Sequence, residues 1–470
     1  MLPFKSAMMI NRITQFIILA LLTSCSLDIP LEDQVSGDDA IDTPEAAREA
    51  LNAAYNSLNF DPVNFSLLAD DFMPTYLISR DQSTKKFYNW DAIELARFAD
   101  NLWSDHYHTI AQINTVLESK QYMILDNEQD VAKWEKVEGE AYALKAMIYQ
   151  ELLDLFADNV ADKGIILKDK VELEFLKRSS IAACEEKILD LLTKAKKLLK
   201  SKEINKNYLS YDACLVLQAR YLLTHEKFSD VITTLEEITK NRGYDGGKDS
   251  KNYQSLWTDK DSEEKVFTKS NDFLFPLTKL IDTPTNGDYV VVSSSVNFEE
   301  GDIRNDITII PFLMKKNGSD KLIRSLIGKY RSSVNDYEPK DINCIRLAEV
   351  YFIMAESYAR LNNVAKGVAI MNVLLENRGA QLLDSNMKSQ QLLSKIIEEK
   401  QKEFVGEGIR FYDIKRWGMS LDRYNVDSKN ISRTIQSNDF RWVLPIPISE
   451  IKQNKEIKQN PGWESVLGNY

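Results

Sequence analysis

The 470-residue chain is poor in the residues that build tight turns, metal centres and disulfide scaffolds, with 17 glycines, 12 prolines, 3 histidines and 4 cysteines. Scarce glycine and proline argue against an all-β protein, whose many turns demand them, and in favour of helices. So few histidines leave little material for a histidine-rich zinc site, and so few cysteines none for a disulfide-stapled scaffold. Basic residues are outnumbered, 59 against 71, for a net charge of −12, and they form no cluster. Nucleic acid is therefore not an expected partner, because phosphate neutralisation supplies most of that affinity. There is no phosphate-cradling glycine loop, zinc motif or G-x-S-x-G elbow, so neither a metal nor a cofactor is expected. What remains is 44% hydrophobic and 28% charged, the balance of a chain that buries a core.

The first residues read as an export signal. Lys5 and Arg12 flank the start of an apolar stretch, Ile13 to Leu22. That stretch is too short to span a bilayer, which takes about 20 residues, and it fits the apolar region of a secretory signal. Leu22-Thr23-Ser24-Cys25 then looks like a bacterial lipobox, making 1–24 a signal peptide and Cys25 the lipidated first residue of the mature protein. Residues 25–42, with Asp28, Glu32, Asp33 and Pro30, read as an extended acidic tether. Cys184, Cys214 and Cys344 each sit in a helical pattern among apolar residues, the setting of a buried free thiol.

From residue 43 onward the spacing predicts one domain of amphipathic helices. The first starts at Thr43-Pro44, with others at about 101–117, 130–156, 180–200, 209–225, 228–241, 344–361, 364–378 and 389–405. In two adjacent pairs a small residue is followed by another twelve positions on, Ala219 by Val231 and Ala355 by Gly367. This is the spacing of a TPR unit, in which small residues let two antiparallel helices approach. Two long insertions, 60–99 and 243–343, interrupt the helices and carry many aromatic residues. Such segments are where a helical scaffold holds a binding site.

Catalytic patterns are weak. His106 and His108 are two apart on a helix and face different directions. Asp70-Asp71 could suggest the carboxylate pair of a glycosidase, but neighbouring residues rarely present both groups to one substrate. Arg410, Asp413 and Trp417 lie on one helix side, where the arginine and aspartate can pair while the indole buries.

Several motifs, in order along the chain, resemble the SusD/RagB family of Bacteroidetes nutrient-binding lipoproteins. After the lipobox come Trp103-x3-Tyr107-x2-Ile110-x3-Asn114 and the run from Glu140-Ala141 to Leu155-Phe156. Then follow Arg346-Leu347-Ala348-Glu349-Val350-Tyr351 and Glu407-Gly408-x-Arg410-x2-Asp413-x2-Arg416-Trp417. Leu444-Pro445-Ile446-Pro447 and Gln459-Asn460-Pro461-Gly462 close the set. Ala157-Asp158-Asn159 departs from the family pattern, which carries glycine there. The resemblance implies a TPR-like helical superhelix, not an enzyme, anchored in the outer membrane and facing outward. It implies delivery of a ligand to a SusC-like TonB-dependent transporter. The ligand implied is an oligosaccharide, with a peptide as the alternative and a lipid-anchored glycosidase a more distant one. Aromatic faces stack on sugar C–H faces while polar side chains bond the hydroxyls. From loop placement, Trp90, Tyr88 and Tyr76 are the expected stacking rings, with Asp81 and Tyr289 beside them.

Overall fold

Several helices begin where short polar side chains cap them. In the computed structural model, Thr43 Oγ1 accepts the Ala46 amide at 3.3 Å and opens α1 (Pro44–Ser57). Asp61 opens α2 (Pro62–Leu68) by accepting the Asn64 amide at 2.9 Å. After α3 (Gln82–Tyr88), Asp91 opens α4 (Ala92–Glu118) by accepting the Ile93 and Glu94 amides. Asn127, Ser180 and Ser210 do the same for α5 (Glu128–Phe156), α6 (Ile181–Leu199) and α7 (Tyr211–Thr224). Each such cap is worth about 1 kcal/mol. Then follow α8 (Phe228–Asn241), α9 (Leu347–Arg360), α10 (Val364–Arg378), α11 (Ser389–Phe404) and α12 (Ile409–Trp417). The structure describes residues 41–74, 82–244, 250–271, 289–292, 297–316, 320–331, 336, 338–425 and 430–468, with the backbone alone at 250, 289, 312–316 and 320–324.

Two sequence expectations are corrected here. α4 starts at Ala92, well before the expected residue 101, because the Asp91 cap lies inside what read as an insertion. The described part of the insertion 60–99 is accordingly largely helical. It holds α2, α3 and the first turns of α4.

Each long helix packs on the next: α4 on α5, α5 on α6, α6 on α7, α7 on α8, α8 on α9 and α9 on both α10 and α11. Three-residue links reverse the chain between α7 and α8 and between α9 and α10, giving two pairs of the TPR type. Their small residues do what the spacing implies. Ala219, Val231 and Ala355 are wholly buried, and a Cβ placed on Gly367 would stand 2.7 Å from Leu392 Cδ2 and 3.4 Å from the Ala355 carbonyl. Cys184, Cys214 and Cys344 are buried free thiols. Among the described residues no helix is long and apolar enough to cross a membrane.

Among the described residues the strands are short and pair in twos. β1 (Phe72–Pro74) pairs with β3 (Tyr289–Val291), β2 (Lys265–Lys269) with β6 (Ile342–Arg346), β4 (Ile309–Lys316) with β5 (Asp320–Ile327), and β7 (Leu421–Tyr424) with β8 (Ile431–Ile435). The proline-rich C-terminal run joins no sheet, as proline requires. Leu444 N–H bonds the Leu155 carbonyl at 2.8 Å. Asn460 donates to the Phe156 and Leu444 carbonyls and accepts Arg178 Nη1 at 2.8 Å. The closing segment thus seals the end of α5.

Candidate functional site

The two insertions meet at the β1–β3 pair, which is antiparallel with Phe72 opposite Val291, Met73 opposite Val290 and Pro74 opposite Tyr289. The Val292 amide extends the ladder to the Asp71 carbonyl at 2.9 Å. Two stretches separated by more than two hundred residues are thereby spliced side by side. Tyr289 stands across from Pro74, and Tyr76 follows Pro74 by two positions.

The splice is held from the helical side by the Glu407-Gly408-x-Arg410 motif. Ser66 Oγ accepts the Gly408 amide at 3.2 Å, and Asp71 Oδ2 accepts the Gly406 amide at 3.2 Å. Asp70 takes Arg410 bidentately, Nε at 2.8 Å and Nη2 at 3.0 Å. Gly406 and Gly408 have φ of +82° and +77°, a region that costs glycine little, and a Cβ on Gly406 would lie 2.9 Å from the Phe72 ring. Asp70 and Asp71 are therefore structural anchors, pointed at different partners. Burial first, and then the charge of Asp70, push the Asp71 carboxyl up to about 7.

Two expected ring platforms are corrected. Trp90 is 1% exposed, donates its indole N–H to the Leu68 carbonyl at 3.0 Å and packs edge-on against Trp442 with centroids 4.5 Å apart. Tyr88, also 1% exposed, lies under the Arg423 guanidinium at 4.5 Å, and its hydroxyl accepts the Tyr424 amide. Neither ring can stack on a ligand from there. Both pin the first insertion to the core, which is why that insertion is rich in aromatics. Tyr76, Asp81 and Cys25 lie outside the described residues, as does the side chain of Tyr289. The helix-face pairing expected for Arg410 and Asp413 is also different. Arg410 goes to Asp70, while Asp413 receives Lys400 at 2.8 Å and Arg416 at 3.2 Å. Trp417 is only half-buried. Its indole N–H bonds Glu356 at 3.0 Å, and the Arg416 and Lys400 cations lie 5.2 and 5.8 Å from its ring.

The second insertion is fixed by a buried ionic cluster that sequence reading did not reveal. Glu403 receives Arg346 at 2.7 Å and Arg378 at 2.8 Å. Glu264 receives the same two arginines at 2.6 and 2.9 Å. Glu407 receives Arg346 and Lys329, each at 2.7 Å. Burial alone would raise the Glu403 carboxyl, but Arg378, Arg346 and Arg304 hold it well below the usual carboxylate range. Arg346 and Glu407 belong to quoted motifs. Glu264, Arg378 and Glu403 look in sequence like ordinary surface charges.

The SusD family model matches residues 239–463. A second, described as starch-binding associating with outer membrane, matches 29–222. The chain belongs to the SusD family. It is 31% identical over 125 residues to SusD-like protein P25 of Formosa agariphila, an alignment covering 24% of this chain and 23% of that protein. It is 32% identical over 130 residues to the starch-binding protein SusD of Bacteroides thetaiotaomicron, covering 27% and 22%. The chain thus spans under a quarter of the length of these relatives in alignment. The solved surface glycan-binding protein A of Bacteroides fluxus shares the fold over 90% of this chain and all of its own, with a TM-score of 0.70 at 21% identity.

Proposed function

We propose that this protein is a lipid-anchored, outward-facing outer-membrane receptor that binds an oligosaccharide without cleaving it. It hands the ligand to a SusC-like TonB-dependent transporter. The observation that carries the ligand-site reading is the β1–β3 splice, which sets Tyr289 opposite Pro74 on a frame rigidly held from behind. Tyr76, Asp81 and Tyr289 are the residues assigned to the site, the aromatics stacking on sugar rings and the carboxylate bonding hydroxyls. The names of SusD and of the glycan-binding neighbour support a carbohydrate ligand, and the family description supports the outer membrane. The lipobox ending in Cys25 supports the anchor.

A glycan and peptide array on the full chain tests the reading, followed by calorimetric titration of the best ligand. Tyr289→Ala should weaken binding at least tenfold, about 1.4 kcal/mol. Retention of peptides alone would replace the sugar with a peptide. Release of reducing sugar would make the protein a glycosidase.

A further inference from the structure

Away from the splice, two adjoining recesses of about 340 and 270 Å³ open between α1, α5 and the link 200–210, sharing Lys136 and Tyr208. Together they reach the size of small-ligand sites. Tyr208 is fixed before any ligand arrives. The Arg48 guanidinium lies 4.7 Å over its ring, its hydroxyl donates to Asn52 Oδ1 at 3.0 Å, and Tyr55 packs edge-on at 5.2 Å. Arg48 is itself committed to buried Glu140 at 2.5 Å. A preset wall of this kind loses little entropy on binding.

Lys136 differs from its neighbours. Half-buried where the two recesses join, its ammonium makes no hydrogen bond and no ion pair with the described residues. The other basic side chains around it are taken: Arg48 by Glu140, Lys133 by Glu45, Lys202 by Glu135 and Arg242 by Asp212. Beside it Leu199 lines the larger recess, and Ile204, 49% exposed, stands at its edge, offering apolar surface to a sugar's C–H face.

We propose that this double recess is a second carbohydrate site, selective for a sugar bearing a carboxylate, which Lys136 receives. The sugar class rests on the oligosaccharide reading above. The location and the preference for an anion do not.

The probes are D-glucuronate and D-glucose, titrated into the full chain and followed by saturation-transfer NMR. Glucuronate should bind saturably and at least tenfold more tightly than glucose. Lys136→Gln should remove that preference while leaving the melting temperature within a few degrees, since the lysine makes no hydrogen bond or ion pair with the described residues and acts only through its charge on Glu140. Equal binding of the two sugars, no binding of either, or undiminished glucuronate affinity in Lys136→Gln would overturn the proposal. Tyr289→Ala separates the two sites. Glucuronate binding that survives it, alongside loss of the array ligand, upholds both. An array without glycan hits and an intact glucuronate signal removes the splice reading alone.

Discussion

Asp70 and Arg410 meet through two parallel hydrogen bonds although 340 positions separate them in the chain. The arginine is 6% exposed. The pair ties the strand that enters the candidate site to the C-terminal motif helix, so the motif serves the site by holding its base.

Breaking that tie should be costly. Arg410→Met takes from Asp70 its bidentate partner beside Asp71 and is expected to lower unfolding free energy by about 1.5–3 kcal/mol, the range for hydrogen bonds to a charged group. Asp70→Asn with Arg410→Met should cost less than the sum of the two single changes, because both remove the same interaction. Urea denaturation of the four proteins measures this, and strict additivity would show that the two residues do not interact.

Trp90→Ala should act on stability. The ring fills core space against Trp442 and Phe411, so about 3–5 kcal/mol is expected for its removal. A melting temperature unchanged by the substitution would return Trp90 to the surface.

Trp417→Ala should be milder, since the indole is half-buried and its neighbours are cations and Glu356. Loss of the cation contacts and one hydrogen bond amounts to about 1–2 kcal/mol. A loss as large as that of Trp90→Ala would show that the ring is a core residue.

Asp71 gives a pH signature. Its folded-state carboxyl is raised from 3.8 to about 7, so between these values the folded protein holds a proton that the unfolded chain releases. Its contribution is fully present below the unfolded value and is lost as pH rises toward 7, with a slope of at most about 1.4 kcal/mol per pH unit for one proton. Asp71→Asn, which keeps an acceptor for the Gly406 amide, should flatten the stability profile between pH 4 and 7. An identical profile in wild type and variant would rule the assignment out.

The long helices were legible because their apolar spacing repeats and their caps are local. Thr43 and the Ala219–Val231 and Ala355–Gly367 pairs say in sequence what they do in the fold. The start of α4 was missed because Asp91 follows a run of aromatics that reads as a loop. Those aromatics misled for a further reason: composition alone does not say whether a ring faces water or the core, and Trp90 and Tyr88 are turned inward by contacts with Trp442 and Arg423. The ionic cluster was invisible because Glu264, Arg378 and Glu403 come from three distant elements and meet only after folding. Of the candidate site, sequence placed both insertions but not the pairing that joins them.

The three residue pairs between β1 and β3 have a consequence for how such a protein changes. The described contacts that anchor the splice are the Asp71 bond to Gly406, the Asp70 clamp on Arg410 and, within the ladder itself, the Val292 bond to the Asp71 carbonyl. Neither Tyr76 nor Asp81, assigned above to the ligand, supplies any of these three contacts. Under the proposed function, the anchors Asp70 and Asp71 are distinct from Tyr76 and Asp81, so a lineage built on this frame can vary those two positions and keep the same scaffold.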